Sequence, residues 1–147
     1  MTADQSQIAQ VQQLADELMR CREWIQSALD EGGNTHSFED IVRGVAQGHY
    51  QFWPADRCCA ITEVVEYPNR KSLHIFLAAG DKEQIKDMNA SAEEFARAIG
   101  CDSMSIAGRR GWVRELKRYG YFELLTTVVK PLEPEGAEDY NTHSQEG

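Results

Sequence analysis

The sequence predicts an α/β domain in which one mixed, mostly antiparallel sheet carries helices on both faces, with a helical extension at the N-terminus. Two observations carry this prediction. Residues 58–67 and 72–79 have the composition of strands, and Pro68-Asn69-Arg70 joins them as a hairpin. After this hairpin, helical and strand patterns alternate along the chain, which implies a single sheet with helices on both sides.

The first thirty residues predict a helix. Apolar side chains recur there at intervals of three and four residues, which is the spacing of a coiled-coil seam, and Gly32-Gly33 ends the pattern. The seam consists of Val11, Leu14, Leu18, Cys21, Ile25 and Ala28. Two interpretations stay open. Either the helix packs on the domain along its whole length, or its first half projects and mediates self-association or docking.

A second helix is predicted to begin after Ser37, a residue type that caps helix N-termini, and to end at Gly48. Glu39 and Asp40 stand in its first turn, where the helix dipole favours acidic side chains. Its buried stripe is predicted to contain Phe38, Ile41, Val42 and Val45. An aromatic, strand-like piece follows at residues 50–54 and closes with a proline.

Beyond the hairpin, four further elements are predicted. They are a helix from Asp81 to Ile99, a short strand at 104–106, a helix at 111–119 and a final β-branched strand at 122–129. After Pro131 the composition turns polar, and regular structure is expected to end. The predicted organisation is a helical extension at 1–20, one domain at 21–132 and an acidic tail at 133–147.

The charge of the chain is uneven. Of the 24 acidic and 15 basic side chains that give a net charge of −9, five acids and no bases lie in residues 133–147. The remainder is therefore only mildly acidic. A negative chain is not expected to bind free nucleic acid or anionic membranes, and no apolar run is long enough to span a bilayer. The first residues lack the basic and apolar regions of a signal peptide, so secretion is not expected.

The four cysteines, Cys21, Cys58, Cys59 and Cys101, predict no metal site. They form no C-x-x-C pair. Adjacent residues on a strand point to opposite faces, so Cys58 and Cys59 cannot readily serve as paired ligands. Four reduced thiols in a cytosolic protein are expected instead.

Several short motifs occur in a defined order along residues 24–132. They are Asn34-Thr35-His36 with Phe38-Glu39-Asp40-Ile41, Gln51-Phe52-Trp53-Pro54, Thr62-Glu63, Tyr67-Pro68, Ala79-Gly80-Asp81, Gly100-Cys101-Asp102, Gly108-Arg109-Arg110-Gly111-Trp112 and Tyr119-Gly120-Tyr121. Together with the order of elements, they resemble the small GNAT-like proteins, of the N-acetyltransferase fold, that tailed bacteriophages encode. The resemblance implies that fold, a phage origin, acetyl-CoA as cosubstrate, and a location in the host cytoplasm or the virion.

The resemblance implies that acetyl-CoA binds at the turn after the second hairpin strand, where backbone amides at a helix N-terminus meet its pyrophosphate. The candidate residues are Leu77, Ala79, Gly80 and Lys82, together with Arg109 at the next strand-to-helix junction. The sequence departs from the family pattern here because the full Gly-x-Gly motif is absent. Asp81 is expected to cap the same amides with its carboxylate. A purely structural turn is the alternative.

The candidate general base is Glu63, whose Thr-Glu context belongs to the family pattern. Glu66 and His74 are the alternatives, and each of the three could instead have a structural role. His74 is expected to face the same side of its strand as Phe76 and Ala78.

The candidate general acid is Tyr119. The family's tyrosine stands four residues before the glycine of a Gly-Tyr pair, and that position here is Leu116. The resemblance therefore does not carry the role over, and Tyr119 and Tyr121 are simply the tyrosines nearest to it. Both could instead be core or rim aromatics.

Arg110, Arg114, Lys117 and Arg118 recur at three- and four-residue steps, so they share one helix face, called here the basic face. The face could balance an acidic neighbour, bind a CoA phosphate, or dock an acidic partner or DNA within an assembly. Together with the N-terminal helix and the acidic tail, it suggests self-association or binding to phage structural proteins. The sequence thus supports two functions, an acyl-CoA-dependent N-acetyltransferase or a non-catalytic virion or head-to-tail component.

Overall fold

The computed structural model describes residues 2–108 and 110–133. The helices are α1 (Thr2–Arg20), α2 (Arg22–Glu31), α3 (Phe38–Ala46), α4 (Lys82–Asp87), α5 (Asn89–Ala98) and α6 (Arg110–Leu116), which continues as a 3₁₀ turn (Lys117–Tyr119). The strands are β1 (Tyr50–Pro54), β2 (Cys58–Glu66), β3 (Lys71–Gly80) and β4 (Ser103–Ile106). The α/β architecture expected from the sequence is confirmed.

The four strands form one sheet in chain order, β1-β2-β3-β4. The first three are antiparallel to their neighbours, and β4 pairs parallel to β3. A β-bulge interrupts the β2–β3 ladder, because Ile61 pairs with Leu77 while the next residue, Thr62, pairs with Ile75. Phe76 is therefore the extra residue on β3, and such a residue shifts the alternation of the strand by one position.

Helices cover both faces of the sheet. On one face, Ile25 of α2 and Ile41 of α3 are fully buried against Ile61 of β2. On the other face, Leu73 of β3 packs against Ala92 of α5. Apolar burial on two faces is what allows both sheet surfaces to exclude water.

The N-terminal seam is divided at Cys21, where the helix is interrupted between α1 and α2. Leu18, Cys21 and Ile25 of the seam are buried in the core, and Ala28 packs against it. In contrast, Ile8 and Val11 are 68% and 66% exposed. The first half of α1 therefore projects from the domain.

Helix α3 begins as its sequence predicts. The side chain of Ser37 accepts a hydrogen bond from the Asp40 N–H, and the Asp40 carboxylate accepts one from the Ser37 N–H at 2.9 Å. This reciprocal capping box satisfies two backbone donors that the first helical turn otherwise leaves unpaired. It also holds the pKa of the Asp40 carboxyl below its usual value.

The prediction of a final strand at residues 122–129 is wrong, because the segment has no regular secondary structure and pairs with no strand of the described structure. Its β-branched composition favours a strand. Strand propensity, however, reflects packing on a neighbouring strand, and no described strand pairs with this segment. None of the helices in the described part of the chain combines the length and apolarity needed to cross a membrane.

Candidate functional site

The sheet opens between β3 and β4. Their parallel ladder ends at the pair Ile75 and Ile106, where β4 stops. Strand β3 continues to Gly80, so its backbone from Phe76 onward has no partner on this side in the described structure. The bulge at Phe76 lies at the beginning of this opening. Backbone amides and carbonyls are therefore available along one edge of a gap in the sheet.

A row of polar side chains crosses the sheet beside the opening. Tyr50 of β1 stands opposite Glu63 of β2, Glu63 stands opposite His74 of β3, and His74 stands opposite Ser105 of β4. Residues directly opposite one another on neighbouring strands share a face, so these four residues form a continuous polar row.

His74 is the residue of this row most suited to accept a proton. Its Nδ1 lies 2.8 Å from the Ser105 hydroxyl oxygen. Burial lowers the pKa of His74 below its ordinary value, and the charge of Glu63 partly opposes this effect. A lowered pKa keeps the imidazole neutral near pH 7, which is the state of a general base.

An apolar cavity of about 40 Å³ lies on the opposite face of the sheet, beneath α4, α5 and α6. Its lining includes Ile75 and Ala78 of β3, Trp112 of α6 and Tyr121. The Tyr121 hydroxyl donates a hydrogen bond to Asn89 Oδ1 at 2.8 Å. Burial, with a smaller contribution from Glu93, raises the pKa of Tyr121 to about 12. The phenol therefore keeps its proton across the physiological range.

Helices α4 and α6 are tied together at the rim of the cavity. The Glu115 carboxylate of α6 forms ion pairs with two lysines of α4, at 2.6 Å from Lys82 Nζ and 3.0 Å from Lys86 Nζ. Lys82 also lies over the ring of Trp112, 5.3 Å from its centroid. The hydrogen bond from Lys82, and then that from Lys86, lowers the pKa of Glu115. This arrangement of Lys82, Lys86 and Glu115 is called here the lysine bridge.

The four described cofactor candidates lie in different environments. Leu77 is buried in the core beneath α1, α2 and α3, and Ala79 pairs with Cys59 on β2. Gly80 has a φ of +110°, and Lys82 belongs to the lysine bridge. Arg109 lies outside the described residues, as does the side chain of Arg110 in the basic face.

The N-terminus of α4 is already capped. The Asp81 carboxylate accepts a hydrogen bond from the Gln84 N–H at 3.0 Å, as the sequence predicts for an N-cap residue. A pyrophosphate needs such amides free and would be repelled by the carboxylate. As it stands, this helix terminus does not fit a pyrophosphate.

The two catalytic candidates from the sequence are not equally well supported. Glu63 lies in the polar row, but Tyr119 lies on the 3₁₀ turn and is 37% exposed. Tyr121, two residues further on, is the tyrosine that reaches the cavity. Its position follows from Gly120, whose φ of +90° turns the chain after the helix.

The expectation that His74 shares a face with Ala78 is wrong. Ala78 lines the cavity together with Ile75, whereas His74, adjacent to Ile75 in an extended strand, points to the other face. The bulge at Phe76 causes the difference, because it adds one residue between the two positions.

The cysteine thiols have no catalytic environment. Cys21, Cys58 and Cys59 are buried, and burial raises the pKa of each of these thiols above its ordinary value. Such thiols are poor nucleophiles near neutral pH. Within the described residues, no three side chains of His, Cys, Asp or Glu come together as a metal site requires.

Comparisons with known proteins agree with this architecture. No protein-family model matches the chain, and no curated protein matches it by sequence. Among solved structures, a tetramutant of the BH1408 protein from Bacillus halodurans matches with a TM-score of 0.53 at 16% identity, over 82% of this chain and 95% of that chain. A GNAT family acetyltransferase from Staphylococcus aureus matches with a TM-score of 0.50 at 13% identity, over 80% and 93%. The chain has a GNAT-like fold.

A point mutant of TTHA1254 from Thermus thermophilus is similar as well, with a TM-score of 0.51 at 17% identity, over 67% of this chain and 82% of that chain. At these identities the likeness concerns the fold alone. The functional assignment therefore has to come from the site.

Proposed function

We propose that this chain is an acyl-CoA-dependent N-acetyltransferase that receives an acyl thioester in the opening between β3 and β4. The observation that carries the proposal is the opening itself, where the β3 backbone from Phe76 to Gly80 lacks a strand partner on the side of β4. The pantetheine arm of CoA contains amide groups that can pair with such an edge as a strand does. The GNAT-like fold supports the same assignment.

Acyl transfer to an amine forms a C–N bond and breaks a thioester C–S bond, so a proton must leave the amine. We assign its acceptance to His74, which is neutral near pH 7 and borders the opening. Glu63 stands opposite His74 and favours the protonated imidazole that results. Glu63 thus supports the base rather than acting alone.

The departing thiolate needs a proton donor, and Tyr121 is suited to this role. Its hydroxyl lies on the cavity side of the sheet, opposite to the face of His74. Because its pKa is about 12, Tyr121 carries its proton at neutral pH. The base and the acid thus lie on different faces, on either side of the opening.

The phosphate groups of CoA fit the described site only after a rearrangement. Asp81 caps α4, Lys82 is engaged with Glu115, and the cavity of about 40 Å³ is far smaller than the roughly 300–1,000 Å³ of a typical ligand pocket. Release of the lysine bridge would separate α4 from α6 and free Lys82 and Lys86 for phosphates. The proposal therefore includes this release on binding.

Calorimetric titration of the full chain with acetyl-CoA tests binding. Ala78→Phe fills the cavity and is expected to abolish binding, whereas Glu115→Gln weakens the lysine bridge and is expected to tighten it. Glu94→Gln makes the same charge change at an exposed site on α5 and should leave affinity unchanged. Absence of binding to the unmodified chain at millimolar acetyl-CoA would exclude the proposed enzyme.

Acyl transfer to a panel of amines tests the assigned roles. His74→Gln is expected to lower the rate by about 10²–10⁴-fold, the usual contribution of a general base, without a change in acetyl-CoA affinity. Tyr121→Phe removes the proton donor and should lower the rate as well. If both variants keep full rates, the assignment is wrong.

A second function is favoured by a different observation, the projecting first half of α1, which exposes Ile8 and Val11. A phage virion or head-to-tail component could use this surface for assembly, in the host cytoplasm or in the particle. Mass spectrometry of purified particles tests this function, together with a deletion of residues 1–17. Incorporation that depends on those residues supports it, and absence from particles contradicts it.

A further inference from the structure

The segment at residues 122–132 is apolar but unpacked. Its six large apolar side chains are between 58% and 89% exposed, and they are Phe122, Leu124, Leu125, Val128, Val129 and Leu132. A stretch of this composition, rich in β-branched and aromatic side chains, normally forms a strand that pairs with a neighbour. Continuous exposure of so much apolar surface usually marks an interaction site.

Strand β4 has a free edge in the described structure. It pairs with β3 on one side, and no described strand pairs with it on the other. Backbone donors and acceptors along Ser103–Ile106 are thus available for a further strand. Four residues of β4 span about 13 Å, and the eleven residues 122–132 span about 36 Å when extended, so the segment is long enough to cover this edge.

We infer that two copies of this chain associate by exchanging residues 122–132, each copy adding the segment as a fifth strand to the β4 edge of the other. In the described structure each chain has both an unpaired segment of strand-like composition, residues 122–132, and an unpaired sheet edge at β4. A two-fold arrangement satisfies both needs at once and leaves no further edge of this kind open. The inference goes beyond the proposed function and does not depend on acyl transfer.

Charge favours a second copy as the occupant. Residues 133–147, which continue the segment, hold five acidic and no basic side chains. The helix that follows β4 carries the exposed cations Arg114, Lys117 and Arg118, for which no ion pair with a described residue is found. Strand addition at β4 therefore brings an acidic tail to a basic helix on the partner copy, and both members of this attraction are present in every chain.

Sedimentation velocity of the full chain over a wide concentration range tests the inference. We expect a dimer. Thr126→Pro removes a backbone donor from the segment without changing its apolar side chains, and it is expected to weaken the dimer by about a hundredfold or more. Thr126→Ala is the matched control and should remain dimeric. Both variants should fold, because Thr126 is exposed in the described structure.

Three results would overturn the inference. The unmodified chain could be monomeric, with the segment free or folded onto its own β4. The dimer could survive Thr126→Pro yet be lost in Val11→Glu, which would assign it to α1 instead. Finally, the proline and alanine variants could dissociate equally, which would exclude backbone pairing.

Discussion

Replacement of Gly80 by alanine tests why the end of β3 requires glycine. Gly80 has a φ of +110°, where residues with a Cβ are strained. A Cβ at this position would lie 2.6 Å from Cys58 Cα and closer still to the carbonyl oxygen of Arg57. Both are backbone atoms, and the Arg57 carbonyl also accepts a hydrogen bond from the Asp81 N–H at 2.7 Å. Neither atom can move away by a side-chain rotation.

The expected loss of stability has two parts. The left-handed conformation costs alanine about 1–2 kcal/mol, and displacement of a packed neighbour costs about 1–3 kcal/mol more. The free energy of unfolding should therefore fall by about 2–5 kcal/mol. For a chain of this length each kcal/mol lowers Tm by about 2–4 °C, so the expected decrease is about 4–20 °C.

Gly100→Ala is the matched control. Gly100 has a φ of +81°, but nothing lies within 4 Å of a Cβ placed there, so only the conformational part remains. Thermal unfolding followed by circular dichroism should place Gly80→Ala about 2–12 °C below Gly100→Ala. Equal melting temperatures would refute the steric reasoning. Because Gly80 has this structural role, its substitution is a poor test of cofactor binding, for which Ala78 is the better position.

Three further predictions concern single side chains. Ser37→Ala removes the capping box of α3 and should lower the unfolding free energy in urea by about 0.5–2 kcal/mol, whereas Ser27→Ala at an exposed helical position should not lower it. Ile25→Ala empties a fully buried position and should cost about 2–5 kcal/mol in the same assay, and a loss well below this range would contradict the packing. The pKa of Glu115 is lowered from 4.5, so the stabilisation from its bridge is present above this pH and is lost as pH falls through the lower folded-state value. The Tm difference between the unmodified chain and Glu115→Gln should therefore exist near neutral pH and disappear in acid, and a difference that did not vary with pH would contradict the bridge.

The parts of the fold that depend on local signals could be predicted from sequence. The capping residues of α3, the hairpin and the end of α5 near Gly100 follow from short-range chemistry. The pairing of Glu63 with His74 could also be predicted, because it follows from the register of the hairpin once the turn at Pro68-Asn69-Arg70 is known. The candidate base Glu63 and its alternative His74 thus belong to one pair.

The remaining features depend on tertiary placement. Nothing local indicates that Phe76 is a bulge residue, since an apolar side chain there suits a regular strand equally well. The contact of Glu115 with Lys82 joins helices separated by a strand and depends on how α6 returns over the sheet. The prediction of a strand at 122–129 is wrong for a related reason, because a strand needs a neighbouring strand to pair with, and composition cannot show whether one is present.

The bulge at Phe76 makes the length of β3 as important as its composition. With one residue inserted, Leu77 returns to the core beneath α2 while Ala78 stays in the cavity. Regular alternation over the same residues would instead turn Leu77 into the cavity and Ala78 into the core, whereas deletion of Phe76 would restore the regular ladder and leave both residues on their present faces. A strand of the same length that lacks the bulge would therefore need a small residue at position 77 and a large apolar one at position 78.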